Sequence, residues 1–298
     1  MRTPTASPAL RALVAGLVDY AGLFPPAAQE MSAAMTAYAE YLASADAWML
    51  GRFVVPVARL DELSSAAGSV DPGPTAWCLS ALVGEDAAGD ASRIQSFNAQ
   101  QARRFAIDAV EARATNAERV ATLGRVLGTR IPLYVEVPAD PDPRTLLEAV
   151  QQIGGRAKIR TGGVSPDAFP PAAHIARFLS RCAALHLPFK ATAGLHHPVR
   201  GEHRLTYAHD APSGTMFGFL NVFVAGVLAA HGADEAELVD VLEERNASAF
   251  AFDDEGMSWR RHRVSTGELA GGRASFAMSF GSCSFREPVD ELGQLALA

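Results

Sequence analysis

The chain has 298 residues, of which 49% are hydrophobic and 20% charged, and a formal net charge of -7. That apolar content excludes a disordered chain. The acidic balance argues against a nucleic-acid partner, because phosphate binding requires a basic face.

The elements expected in chain order are short β-rich runs, each followed by a turn and a helical pattern. Residues 1–17 carry Arg2, but Pro8 and Arg11 interrupt any compact apolar run, so this segment does not read as a secretory signal. A first strand falls at 17–22, ahead of the break at Phe24, Pro25 and Pro26, and Met31, Met35, Tyr38 and Leu42 follow at helical spacing. Further strands are expected at 52–56, 77–83 and 105–111. The alternating run at 132–138 is the clearest of all, and its helix at 144–153 ends on Gly154 and Gly155. The sixth and seventh strands lie at 157–161 and 189–193, separated by a helix with Ile175, Phe178, Leu179 and Cys182 on one face. Two helices follow, at 216–230 and 235–244. The apolar stretch 217–230 is too short to span a membrane and carries Asn221, so it reads as a buried helix. Residues 248–259 read as a hairpin turning at Asp253, Asp254, Glu255 and Gly256, and 274–280 as the eighth strand, closed by a helix from Val289.

Strand–helix alternation sustained over this length implies parallel strands with helical crossovers. About eight units are countable, and no GxGxxG or GxxxxGK[ST] follows an early strand. The expected architecture is therefore one (β/α)8 TIM-type barrel over residues 1–298, with a hairpin insertion at 248–264. The length suits such a barrel, which runs to about 250 residues or more as one unit. Cys78, Cys182 and Cys283 are scattered and odd in number, which suggests a reducing, cytoplasmic setting.

Side chains alternate along strands. Leu133, Val135 and Val137 share one face of the fifth strand and oppose Tyr134 and Glu136. Ile159 opposes Lys158 and Arg160; Phe189, Ala191 and Ala193 oppose Lys190 and Thr192. With the apolar faces on the helices, the barrel interior holds Glu111, Glu136, Lys158, Arg160, Lys190 and Thr192. Asp108 fits this pattern poorly, since it falls on the face opposite to Glu111. A charged interior departs from the branched apolar packing usual in barrels. A salt-bridge network could account for it, but Val or Ile would serve stability as well.

Of the 26 basic residues only Lys158 and Lys190 are lysine, and the remaining 24 are arginine. Arginine suits a permanent buried ion pair, whereas lysine can lose its proton and act as a nucleophile. Both lysines fall on adjacent strands, at matching depth, on the inward face. A neighbouring cation and desolvation would favour a neutral amine for imine chemistry.

The segments Lys158-Ile159-Arg160-Thr161-Gly162-Gly163 and Lys190-Ala191-Thr192-Ala193-Gly194 resemble the sixth and seventh strands of class I aldolases of the deoxyribose-phosphate aldolase type. The resemblance covers about a dozen residues. It implies that Lys158 forms the imine and Lys190 tunes it. Arg160 stands where that family carries a small hydroxyl residue, and no phosphate loop is found, so a phosphorylated substrate is not implied. The chain as a whole resembles a bacterial family of (β/α)8 barrels, which implies no activity.

After the seventh strand, His196, His197, His203 and His209 cluster around Pro198 and Arg200. His196, nearest the strand end, is the best candidate for acid–base work beside the lysines. A second reading needs a divalent metal held by Glu111, Glu136, His196 and His197, although the spacing matches no zinc motif. Gly162 and Gly163 are candidates for an anion-binding nest of backbone N–H groups, and Arg160 and Arg200 for bidentate grip on a carboxylate or phosphate. Thr161 and Thr192 complete the substrate-binding set. Cys283 is a candidate nucleophile, but no Cys–His pairing is visible. Asp19, Tyr20 and Phe24 either line the pocket or pack in the core, and Asn221 reads as a satisfied core amide.

The leading expectation is a lyase or aldolase acting on a small carbonyl or carboxylate compound through a Lys158 imine, with no cofactor and with Glu136 or Glu111 moving protons. The alternatives are a metal-dependent isomerase or lyase with a lysine base, and a barrel that binds a ligand without catalysis. Neither a nucleic acid nor a membrane is an expected partner. The 253–261 region suits a lid or a contact in a homo-oligomer.

Overall fold

The computed structural model describes residues 6–70 and 75–295; Arg2 of the leader argument lies outside them. Eight parallel strands close a barrel. In chain order they are β1 (Val18–Tyr20), β2 (Leu50–Pro56), β3 (Trp77–Leu82), β4 (Phe105–Arg113), β5 (Leu133–Glu136), β6 (Arg156–Arg160), β7 (Phe189–Thr192) and, after the insertions below, the strand Ala277–Ser282. That last strand pairs with β7 on one side and β1 on the other, and so completes the barrel where the eighth strand was expected.

Helices α1 (Pro8–Val14), α2 (Met31–Leu42), α3 (Leu60–Ala66), α4 (Ala87–Gln101), α5 (Ala117–Leu127), α6 (Arg144–Gln152) and α7 (Ala172–Ala184) precede β7. Apart from α1, which comes before β1, they are the crossovers of the barrel. The α6 helix stops where Gly154 adopts a left-handed φ of 67°, a conformation that favours glycine. Aromatic residues from strands and helices build the layer between them: Tyr20, Tyr38, Phe53, Trp77 and Phe105 on one side, Phe189, Phe223, Phe276 and Phe280 on the other.

Two insertions depart from the expected order. Residues 201–216 hold a hairpin, β8 (Gly201–Arg204) paired antiparallel with β9 (Ser213–Met216), so the helix expected from 216 begins instead as α8 (Phe219–Ala230). These strands are four residues each, polar and mostly half-exposed or exposed, and lack the alternation that marks a strand in sequence. The second insertion follows α9 (Glu235–Glu243). It is a three-stranded sheet of β10 (Phe250–Phe252), β11 (Gly256–Trp259) and β12 (His262–Ser265), one strand more than a hairpin, and it turns between β10 and β11 as expected. Helix α10 (Thr266–Ser275) leads into the closing strand, β13 (Ala277–Ser282), and α11 (Arg286–Gln294) ends the described fold.

Every residue of α8 from Phe219 to Ala229 is buried, as its unbroken apolar run requires. Asn221 is the exception in character but not in burial: its amide donates to the carbonyls of Val241 and Glu244 and accepts from the Arg200 N–H. No helix among the described residues is long and apolar enough to cross a membrane.

Candidate active site

Alternation does place the polar residues of β4–β7 inside the barrel. Lys158 and Lys190 are Cα partners across β6 and β7, at the same depth. A bulge in β4 resolves the misfit of Asp108. Leu79 pairs with Ile107 but Ser80 with Ala109, so one extra residue lets Asp108 and Glu111 both turn inward.

The interior charges form one continuous network. Lys190 Nζ lies 2.6 Å from Asp19 Oδ2 and also bonds Glu111 Oε1. Lys158 Nζ lies 2.6 Å from Glu111 Oε2 and 3.0 Å from Glu136 Oε2. Ser80 Oγ donates to Glu111 over 2.6 Å and Ser279 Oγ to Asp19 over 2.8 Å. Beyond Glu136 the network reaches Arg113 at 3.0 Å and Arg160 at 3.3 Å. Lys190 was expected to act on Lys158 directly, as a neighbouring cation that favours a neutral amine. Instead Glu111 stands between them, one oxygen on each.

At Glu111, Glu136 and Lys190 burial opposes ionisation, and the ion pairs outweigh it. Lys158, and then Lys190, hold the Glu111 carboxyl far below the usual carboxylate range. Lys158 and Arg160 push the Glu136 carboxyl down to about 2. Asp19 and Glu111 raise the Lys190 ammonium above its ordinary value. Lys190 is therefore a fixed cation beneath the site.

A cavity of about 610 Å³ opens at the C-terminal ends of the strands, where barrel sites form. Lys158, Glu111 and Glu136 line it, together with Arg113, Arg160, Thr192, His196 and Cys283. Lys190 is not among the lining residues. The lining also has an apolar part, with Phe24, Val54, Leu82, Leu205 and Met216, the last two brought by the β8–β9 hairpin. Beside Thr192, Ala193 holds a left-handed φ of 64°, strain of about 1–3 kcal/mol for a residue with a Cβ.

Several expected binding residues play other parts. Arg160 was expected inside the barrel, but its half-exposed side chain reaches the rim. Thr161 is fully buried and its hydroxyl donates to the Ala193 carbonyl over 2.6 Å, which ties β6 to the end of β7. Gly162 and Gly163 line the cavity without the left-handed φ that a nest needs. Close approach explains them: a Cβ on Gly162 would meet the Phe169 ring at 2.3 Å, and one on Gly163 would meet Ala168 at 2.7 Å. Arg200 lies away from the cavity, with its guanidinium 4.6 Å from the Phe217 ring centre. His197 pairs with Glu291 at 2.8 Å, stacks on His203, and does not reach the cavity. The four proposed metal ligands are thus drawn apart: Glu111 and Glu136 bond the lysines, His196 bonds Glu287, and His197 bonds Glu291. Among the described residues no group of three or more His, Cys, Asp or Glu side chains is placed to hold a metal ion.

Arg113 was not anticipated, although it stands two residues beyond Glu111 on the same face. Asp19 was visible only as a pocket-lining candidate; its tie to Lys190 crosses 171 residues of chain. The Cys–His pairing that the sequence does not show is present. Cys283 Sγ lies 3.8 Å from His196 Nε2, and His196 Nδ1 lies 2.8 Å from Glu287 Oε2.

No family model, no curated protein and no solved structure matches this chain. What the site does has to be argued from its chemistry.

Proposed function

We propose that the protein is a lyase of the class I aldolase type, which binds a small carbonyl compound with an anionic group as an imine on Lys158. The observation that carries this reading is the placement of Lys158. Of the two lysines in the chain it is the one on the cavity wall, with its Nζ within 3.0 Å of two carboxylates.

Imine formation needs an amine that can release a proton and take it back. Glu111 and Glu136 are the acceptors in reach. The Lys158 amine adds to the substrate carbonyl carbon, and the proton held by a carboxylate returns as water leaves, giving an iminium ion. That cation draws the electrons of the bond between the α and β carbons as it breaks, while Glu136, the more accessible carboxylate, takes the proton of the β-hydroxyl and the fragment departs as an aldehyde or ketone. Protonation of the resulting enamine and hydrolysis restore the amine. Lys190, fixed as a cation below, keeps Glu111 ionised and the local charge balanced when Lys158 is neutral.

Arg113 and Arg160 support the anionic group. Each donates one hydrogen bond to Glu136 Oε1 and has further N–H donors at the rim, in the fork geometry that suits a carboxylate.

The test is reduction with cyanoborohydride in the presence of a panel of small aldehydes, ketones and 2-oxo acids, followed by intact mass and peptide mapping. A stable adduct on Lys158, lost in Lys158→Arg, is the expected result. No adduct with any carbonyl compound, or an adduct that persists in the variant, overturns the reading.

A further inference from the structure

The imine reading leaves one reactive group on the cavity wall unused. Cys283 follows β13, His196 lies in the loop after β7, and Glu287 sits in the first turn of α11. The β7–β13 pairing brings the first two together, and α11 brings the third. The ring of His196 is oriented at both nitrogens: Nε2 towards Cys283 Sγ at 3.8 Å, Nδ1 towards Glu287 Oε2 at 2.8 Å. Tyr207, from the turn of the β8–β9 hairpin, donates to the same Glu287 oxygen over 2.9 Å and lies 3.7 Å from the sulfur. Both Cys283 and His196 line the cavity. A nucleophile, a base within reach and a third group that orients the base are the parts of a nucleophilic triad.

The other two cysteines sit in different surroundings. Cys182 is buried in α7, where burial pushes its thiol well above the ordinary value. Cys78 lies near Asp108, and burial and then that carboxylate raise its thiol. Cys283 instead faces an imidazole whose protonated form is stabilised. Burial opposes the charge on His196, but contacts with Cys283 and Glu287 outweigh it and carry the group up to about 10.

We propose that Cys283, His196 and Glu287 form a second reactive centre on this cavity, which takes the acyl group of a carboxylic ester or thioester onto the Cys283 sulfur and releases it to water. The pairing with an acid–base group favours acyl transfer over simple addition to a carbonyl, because a proton donor beside the sulfur matters most where a leaving group must depart. His196 takes the thiol proton as the Cys283 sulfur attacks the acyl carbon, and returns it to the departing alcohol or thiol as the carbon–oxygen or carbon–sulfur bond of the substrate breaks. His196, now neutral, takes a proton from water as its oxygen attacks the Cys283 thioester. The acyl–sulfur bond breaks, the acid leaves, and His196 gives the proton back to the sulfur. Glu287 is a positioning residue that fixes the ring, and Tyr207 fixes Glu287. No step uses Lys158, so this inference stands apart from the imine reading.

The experiment treats the full-length protein with p-nitrophenyl acetate and follows p-nitrophenol release together with peptide mapping of acetylated residues. A burst of one equivalent, with a transient acetyl group on Cys283 formed at least about 100-fold faster than on Cys78, is expected. His196→Gln should lower the Cys283 rate by about 100-fold or more. Labelling of Cys78 as fast as Cys283 in the wild-type protein overturns the proposal, and this comparison within one chain needs no variant to fold. An unchanged Cys283 rate in a folded His196→Gln protein overturns it as well.

Discussion

The two ends of the barrel interior are both polar, yet they are built from different cations. In the N-terminal half the charges are arginines. Arg52 holds Asp108 bidentately, at 2.7 and 2.9 Å. Arg156 donates to the Tyr134 hydroxyl over 2.9 Å, and Arg273 caps the carbonyls of Ala15, Ala277 and Met278. In the C-terminal half, where the cavity opens, the cations deepest in the network are Lys158 and Lys190. Arginine fits contacts that never change, since its fork is rigid and its charge permanent. Lysine can also release its proton, which on the proposed reading is what Lys158 at the cavity wall does and what the locked Lys190 does not. The two lysines differ in depth: Lys190 is locked between Asp19 and Glu111, and Lys158 lines the cavity.

The strongest way to break this comparison is to put arginine where lysine stands. Lys158→Arg keeps the charge and should lose imine trapping completely, with an unchanged far-UV spectrum and urea midpoint within about 1 kcal/mol of wild type. A variant that still forms a reducible adduct removes the distinction between the two halves.

The next largest effect is on stability. Lys190→Met leaves Asp19 and Glu111 without their shared cation in a dry interior, which costs about 3–5 kcal/mol in urea unfolding. The partly exposed pair at the other end should matter less, and Arg52→Met is expected to cost about 1 kcal/mol. Equal costs would show that the network is no more desolvated than the N-terminal mouth.

Acid sharpens the same contrast. The Glu136 carboxyl is depressed from 4.5 to about 2, and Glu111 is also depressed. A depressed folded value contributes stability above the unfolded value that is lost as pH falls through the folded one. Denaturation midpoints should therefore fall between pH 4.5 and about 2, and Glu136→Gln should flatten that slope. An equally steep slope in the variant would place the acid response elsewhere.

The smallest effect tests a residue first read as a ligand group. Thr161→Val removes the hydroxyl's bonds to the Ala193 and Thr192 carbonyls, for about 1 kcal/mol, and adduct formation should persist. Loss of the adduct in a folded protein would return Thr161 to the binding site.

How far each site residue was legible follows from how local its placement is. Glu111, Glu136, Lys158, Lys190 and Thr192 face inward because successive side chains on a strand point to opposite faces, and that is a property of five or six consecutive residues. The loop residues had no such constraint. His196 and His197 are neighbours in the chain, yet one lines the cavity and the other pairs with Glu291 outside it. Arg200 and Arg160 read alike as anion-binding arginines, and only the path of the loop sends Arg200 onto Phe217. Asp108 misled the alternation because a bulge is invisible without the partner strand.

The sequence by itself determined the eight-stranded barrel, the depth of the two lysines and the faces that carry the charges, because hydrophobic periodicity is written in neighbouring residues. Tertiary structure alone decided which charge meets which. Closing the barrel through β13 sets Asp19 against Lys190 across 171 positions and Cys283 against His196 across 87. Contacts of that span depend on strand order and register, which emerge only when the whole sheet has closed.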